Sequence, residues 1–357
     1  MGPVRKPAPP DYWEPRARGA LLGLAVGEAL GVTHKGKRFV SPPFVEQVRG
    51  HNTIEGRGPF SLKAGQVGEP TQMATCLSAS LVALLAFHPE DALRRYRAWR
   101  LKFPNPEAFT TQVLDIQGPQ PGKTAWIDSQ RRVAGPGALP RAAPLAVFFS
   151  RQTPAELERA VGGDGSLTHY HPRCQLSQSA MATAIAHALA LSAPTVDPAG
   201  LFEAVDEALV LATERLLLEI PVWAVEVHAA LADIRKSLSL ARTSDPELYG
   251  PDLHLFRNLD RVEVPFRLAF FQLAQQRSFE DALVDVVNRG GDTDLNGAVT
   301  GALLGAVHGE SAIPEAWRKA VLEAPGDKEL HPHELLQLVR ATPKPATETP
   351  KPKRMTR

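Results

Sequence analysis

The chain has 357 residues, 43% of them hydrophobic, enough for one large core or two modest ones. Forty basic against 39 acidic residues leave a formal charge of +1, which argues against a dedicated nucleic-acid binder, and two cysteines give no disulfide framework. No apolar run reaches the ~18 residues that a membrane span needs, and the first ten residues, mostly proline and charge, lack a signal-peptide core, so no membrane contact and a cytoplasmic location are expected.

After a proline-rich arm over 1–15, apolar residues recur at helical spacing without convincing period-two alternation, so the pattern is all-α. Helices are predicted over 16–29, 71–86, 91–99, 154–161, 175–191, 198–218, 222–240, 266–276, 279–287, 295–308 and 314–322. Several starts carry their punctuation: Thr153-Pro154 with Glu156 behind it, Asp197-Pro198, and Ser278 with Asp281 three residues on. The proline-rich stretch 102–139 reads as a long irregular connection, of the kind that forms lids or binding segments, and 341–357 reads as a disordered basic tail. One segment echoes another, Gly19-Ala20-Leu21-Leu22-Gly23 against Gly301-Ala302-Leu303-Leu304-Gly305. Glycine costs a helix about 1 kcal/mol against alanine, so its repeated use implies two central helices in close contact with their neighbours.

Gly290-Gly291-Asp292-Thr293-Asp294, directly before an apolar small-residue helix, is the most informative stretch. Two carboxylates one residue apart at a helix start either cap the first turn or present hard oxygens to a cation or sugar. Elsewhere, His169 and His171 read as hydrogen-bonded loop histidines near such a site, and Gly162-Gly163-Asp164-Gly165-Ser166 as a flexible approach to the segment 167–172 rather than a phosphate loop. Trp126 reads as an adenine platform or a loop anchor, and Arg131, Arg132 and Arg141 are available to neutralise a diphosphate.

Five segments in order carry a resemblance to a known family: 18–31, Thr71-Gln72-Met73-Ala74, 137–146, 167–172 and 290–305. In these the chain resembles the ADP-ribosylglycohydrolases. The resemblance implies a compact all-helical single domain, here 16–340, around a binuclear magnesium site that holds the distal ribose of an ADP-ribosyl group. Asp292 and Asp294 match one of the family's ligand sets. The other set, Thr-Asp-Asp, is here Gly68-Glu69-Pro70; Leu295 stands where the first set continues with threonine, Glu28 replaces an aspartate, and Lys35 lies about where many members carry a glutamate. Two of six ligand positions keep their residue and one more keeps a carboxylate.

The resemblance thus implies Glu69, Asp292 and Asp294 as metal ligands, Glu69 and Asp292 in catalysis, and Glu28, Gly137, Arg141, His169 and Gly291 around the ligand. It implies one magnesium ion rather than two, or none. Two functions follow from it. One is hydrolysis of an ADP-ribosyl N- or O-glycosidic bond with a weakened magnesium site. The other is a catalytically impaired member that binds ADP-ribose or a related nucleotide sugar.

Overall fold

The computed structural model describes residues 11–37, 50–103, 108–246, 255 and 257–343. Among these it contains fifteen α-helices and no strand, and the one β feature is an isolated bridge between Arg57 and Leu62. In chain order the helices are α1 (Trp13–Gly31), α2 (Glu69–Leu84), α3 (Pro89–Lys102), α4 (Phe109–Asp115), α5 (Pro121–Asp128), α6 (Ala142–Phe149), α7 (Pro154–Thr168) and α8 (Pro172–Ala190). They continue with α9 (Pro198–Glu219), α10 (Ala224–Thr243), α11 (Glu263–Ala274), α12 (Phe279–Asn288), α13 (Thr293–His308), α14 (Glu315–Leu322) and α15 (Pro332–Ala341).

The two echoing segments pack against each other. Both α1 and α13 are buried on every side through most of their length, as expected for helices that carry no polar face. They run antiparallel with glycine set on glycine: a Cβ added at Gly19, Gly23 or Gly27 would lie 2.2, 2.1 or 2.0 Å from the carbonyl oxygen of Gly305, Gly301 or Gly297. At the end of the row, a Cβ at Gly31 would lie 2.2 Å from the Thr293 oxygen. No side chain fits between these backbones, which is the benefit that offsets glycine's poor helix propensity. Around this pair α11 and α12 pack on α13, α15 packs on α1 and α2, and α8 sits among α6, α7, α9 and α10.

Several expectations are corrected by tertiary packing. The stretch read as irregular contains α4 and α5, the latter opened by Pro121 at its first turn. Trp126 lies in α5 and is buried, edge-on to Trp223 with ring centres 4.9 Å apart, so it is a core residue and not an adenine platform. The glycine-rich stretch 162–166 is the interior of α7, where a Cβ at Gly162 would meet the Arg215 guanidinium and one at Gly163 the Phe87 ring, both at 2.5 Å. Helices α6 and α15 carried no expectation. Helix α1 already starts at Trp13, which is buried, and α15 reaches Ala341 with Thr342 buried behind it. The rest of the expected arm and tail, 1–10 and 344–357, lies outside the described residues. No described helix is long and apolar enough to cross a membrane, and Cys76 and Cys174 are buried and unpaired.

Candidate functional site

The glycine row ends where the C-terminus of α1 meets the N-terminus of α13, and that junction builds the site. Gly290 and Gly291 adopt φ of 78° and 82°, a left-handed pair that turns the chain sharply into α13. Thr293 Oγ1 donates to the Gly31 carbonyl at 2.7 Å and pins the two helix ends together. Beyond α1, the Gly36 amide donates to Gly291 O at 2.8 Å and the Gly291 amide to Lys37 O at 3.1 Å. This two-bond clamp holds the Lys35 loop against the aspartate turn.

Asp292 and Asp294 converge on one point, and the point is an ammonium. Lys35 Nζ donates to Asp294 Oδ1 at 2.7 Å and also to Asp292 Oδ1. Asp294 Oδ1 further accepts from the Leu295 amide at 2.9 Å, while Asp292 makes no capping bond to the helix. Burial works against the ammonium's charge, but Asp294 and Asp292 outweigh it and raise the Lys35 pKa above the ordinary lysine range. Burial likewise presses the Asp292 carboxyl upward against the pull of Lys35, whereas for Asp294 the Lys35 charge and hydrogen bonds overcome burial and hold it low.

This cluster forms the polar end of a cleft of about 580 Å³. Glu69 and Pro70, at the start of α2, line it together with Leu295, Thr110 and the Gly135-Pro136-Gly137 rim. Burial raises the Glu69 carboxyl, with Thr110, Lys35 and Arg141 opposing. Phe60, Phe103 and Phe109 make the apolar wall, where Phe109 meets the His169 ring edge-on at 5.1 Å between centres. His169 fills the space under Gly137, where an added Cβ would lie 2.9 Å from its Nε2, and its Nδ1 is 2.9 Å from Thr168 Oγ1. Burial first, and then the Arg141 charge, lower the His169 pKa to about 3, so this imidazole is neutral.

A second, fully buried network lies beneath the rim. Arg141 Nε donates to Asp164 Oδ2 at 2.9 Å, its Nη2 donates to Thr168 Oγ1, and its Nη1 donates to the Gly137 carbonyl at 3.2 Å. Asp164 also accepts from Tyr96 Oη at 2.6 Å and from Gln178 Nε2 at 2.8 Å. The charge pair is thus bonded on both sides and fixes the loop that carries Gly137.

The expected residues divide accordingly. Glu69, Asp292, Asp294, Gly137 and His169 line one cleft. Arg141 is not among the residues that line it: the guanidinium is fully buried, and its bonds to Asp164 and the Gly137 carbonyl position the rim. Glu28 is also withdrawn, because its carboxylate accepts from the Thr71 amide at 2.8 Å and from the Gly68 amide, and so caps the start of α2. Burial pushes its pKa up to about 7, against the Thr71 and Gly68 bonds. Gly291 spends its amide and carbonyl on the Lys35 loop. His171 caps α8 by accepting from the Arg173 amide at 3.1 Å and faces Trp126. Arg131 pairs with Glu226, whereas Arg132 lines the cleft. Sequence reasoning missed Asp164 and Thr168, whose glycine-rich surroundings hid a helix, and gave Lys35 no role.

The donor set does not fit a magnesium pair. Magnesium takes near-octahedral oxygen ligands. Here Pro70 and Leu295 offer no side-chain oxygen, both aspartates already hold an ammonium, and among the described residues no group of three or more His, Cys, Asp or Glu side chains converges.

The family model described as ADP-ribosylglycohydrolase matches residues 9–348, nearly the whole chain. The chain belongs to the ADP-ribosylglycohydrolase family. It is 27% identical over 303 residues to ADP-ribosyl-[dinitrogen reductase] glycohydrolase of Rhodospirillum rubrum, a match covering 85% of this chain and 88% of that protein. It is 24% identical over 314 residues to ADP-ribosylarginine hydrolase Tri1 of Serratia proteamaculans (strain 568), covering 85% and 74%. Among solved structures, an ADP-ribosylglycohydrolase-related protein complex superposes with a TM-score of 0.65 at 26% identity, covering 92% of this ADP-ribosylglycohydrolase family member and 98% of that chain.

Proposed function

We propose that this family member holds the ADP-ribosyl group of a modified protein or small molecule in the cleft around Lys35, Asp292 and Asp294, and cleaves the glycosidic bond only weakly. Its relatives carry names that state action on ADP-ribosyl groups. The cleft suits that ligand: a charged, hydroxyl-binding end for a ribose and an aromatic wall of Phe60, Phe103 and Phe109 for a flat base, in a volume of about 580 Å³. The observation that favours binding over efficient hydrolysis is the ammonium between the two aspartates. A lysine nitrogen at that point neutralises charge and donates hydrogen bonds, but unlike a metal ion it cannot lower the pKa of a bound water to make a nucleophile.

The test is calorimetry of the full chain with ADP-ribose, AMP and ribose 5-phosphate, in EDTA and in magnesium, beside a turnover assay on ADP-ribosylarginine. The expected result is binding of ADP-ribose that is equal in both buffers and turnover orders of magnitude below that of a two-metal member. Absence of ADP-ribose binding, or fast magnesium-dependent turnover, refutes the proposal.

A further inference from the structure

We infer that Lys35 is a resident cation, whose ammonium takes the seat between Asp292 and Asp294 that a divalent ion would need, and whose remaining N–H serves a hydroxyl of the bound ligand. The second half rests on the proposed ADP-ribosyl reading; the first does not.

Geometry carries the first half. An ammonium has three donors. Two go to Asp292 and Asp294, whose carboxylates come from one turn and meet at one nitrogen. The backbone that carries the lysine is held beside the aspartates: Gly36, with φ of 76°, turns the chain immediately behind it, and the Gly36–Gly291 and Gly291–Lys37 backbone bonds lock its loop to the aspartate turn. The side chain is 26% exposed and lines the cleft, where its third donor can meet a ligand. A divalent ion placed between the same carboxylates would sit within a few ångströms of this ammonium and repel it. The neighbouring positions agree with that exclusion. Pro70 and Leu295, which also line the cleft, supply no side-chain oxygen, so an ion seated there would draw the rest of its shell from water. One lysine thus supplies both the positive charge and the hydrogen-bond donors at that point.

The inference predicts that removing the ammonium opens the seat to a metal. The probe is Mn²⁺, followed by electron paramagnetic resonance and by thermal shift on the full chain without nucleotide. Wild-type protein is expected to bind no Mn²⁺ at 1 mM and to keep its Tm within about 1 °C between EDTA and Mn²⁺. Lys35→Met, which keeps the apolar stem, and Lys35→Ala are expected to melt lower in EDTA, because two carboxylates lose their partner, and to regain about 2 °C or more in Mn²⁺ with at least tenfold tighter Mn²⁺ binding than wild type. Adding Asp294→Asn to either variant should abolish that gain. Tight Mn²⁺ binding by wild type that Asp294→Asn removes would overturn the inference, and so would Mn²⁺ silence in both lysine variants. In a separate calorimetric arm, Lys35→Met should lose at least tenfold in ADP-ribose affinity in EDTA. If no protein binds ADP-ribose, the proposed function fails while the Mn²⁺ titration still decides the seat of the cation.

Discussion

Replacing Gly23 by alanine tests the glycine row that holds the site together. The added Cβ would lie 2.1 Å from the Gly301 carbonyl oxygen and 2.8 Å from its carbon, against a closest tolerable contact near 3.0 Å. Both obstacles are backbone, so no rotamer change relieves them, and α1 and α13 must separate by about 1 Å. Overpacking of this kind costs ~1–3 kcal/mol, and a backbone obstacle puts Gly23→Ala at the upper end. Alanine's better helix propensity returns about 1 kcal/mol. The expected net loss is therefore about 2 kcal/mol in urea unfolding, a large share of the ~5–15 kcal/mol typical of folded domains. Gly326→Ala is the control, since nothing lies within 4 Å of its added Cβ. It should stay within about 0.5 kcal/mol of wild type. If Gly23→Ala is neutral or gains about 1 kcal/mol as propensity alone requires, the close backbone approach is wrong and so is the account of how Asp292 and Lys35 are brought together.

The buried network under the rim gives a second expectation: Asp164→Asn strips the charge from the partner of fully buried Arg141 and should cost about 3–5 kcal/mol by chemical denaturation, with a loss below 1 kcal/mol counting against it. His169 gives a third, with a definite sign. Its folded pKa of about 3 lies below the ordinary 6.5, so its contribution to stability is complete above the unfolded pKa and is lost as pH falls from there towards 3. By pH 5 the linkage amounts to about 2 kcal/mol. The stability difference between wild type and His169→Gln should shrink by that amount between pH 7.5 and pH 5, and parallel pH curves would contradict it.

The all-helical class and the central pair were legible because they rest on local patterns: helical apolar spacing, and a Gly-Ala-Leu-Leu-Gly unit used twice. The capping box at Thr153 and Glu156 was legible for the same reason. What failed was decided at long range. Gly162 and Gly163 lower helix propensity, yet α7 runs through them because Arg215 and Phe87 need the space. The prolines of 102–139 suggested a loop, but Pro121 occupies the first turn of α5, where it is tolerated. In the site, the Asp292-Thr293-Asp294 turn and Glu69 could be read from a motif. The ion that the aspartates hold could not, because Lys35 lies 257 residues from Asp292 along the chain and is delivered by the α1–α13 pairing. Arg141 was read as a ligand arginine because nothing local signals its partner Asp164, 23 residues on.

On the proposed reading the chain's own lysine, and not magnesium, bridges Asp292 and Asp294 in a cleft that takes an ADP-ribosyl group. The most direct measurement is a crystal structure of the full chain grown with ADP-ribose and Mn²⁺, with anomalous data collected at the manganese edge. The expected result is ligand density in the cleft, Lys35 Nζ between the two carboxylates, and no anomalous peak there. A manganese peak bridging Asp292 and Asp294, with Lys35 swung out of the cluster, would contradict it.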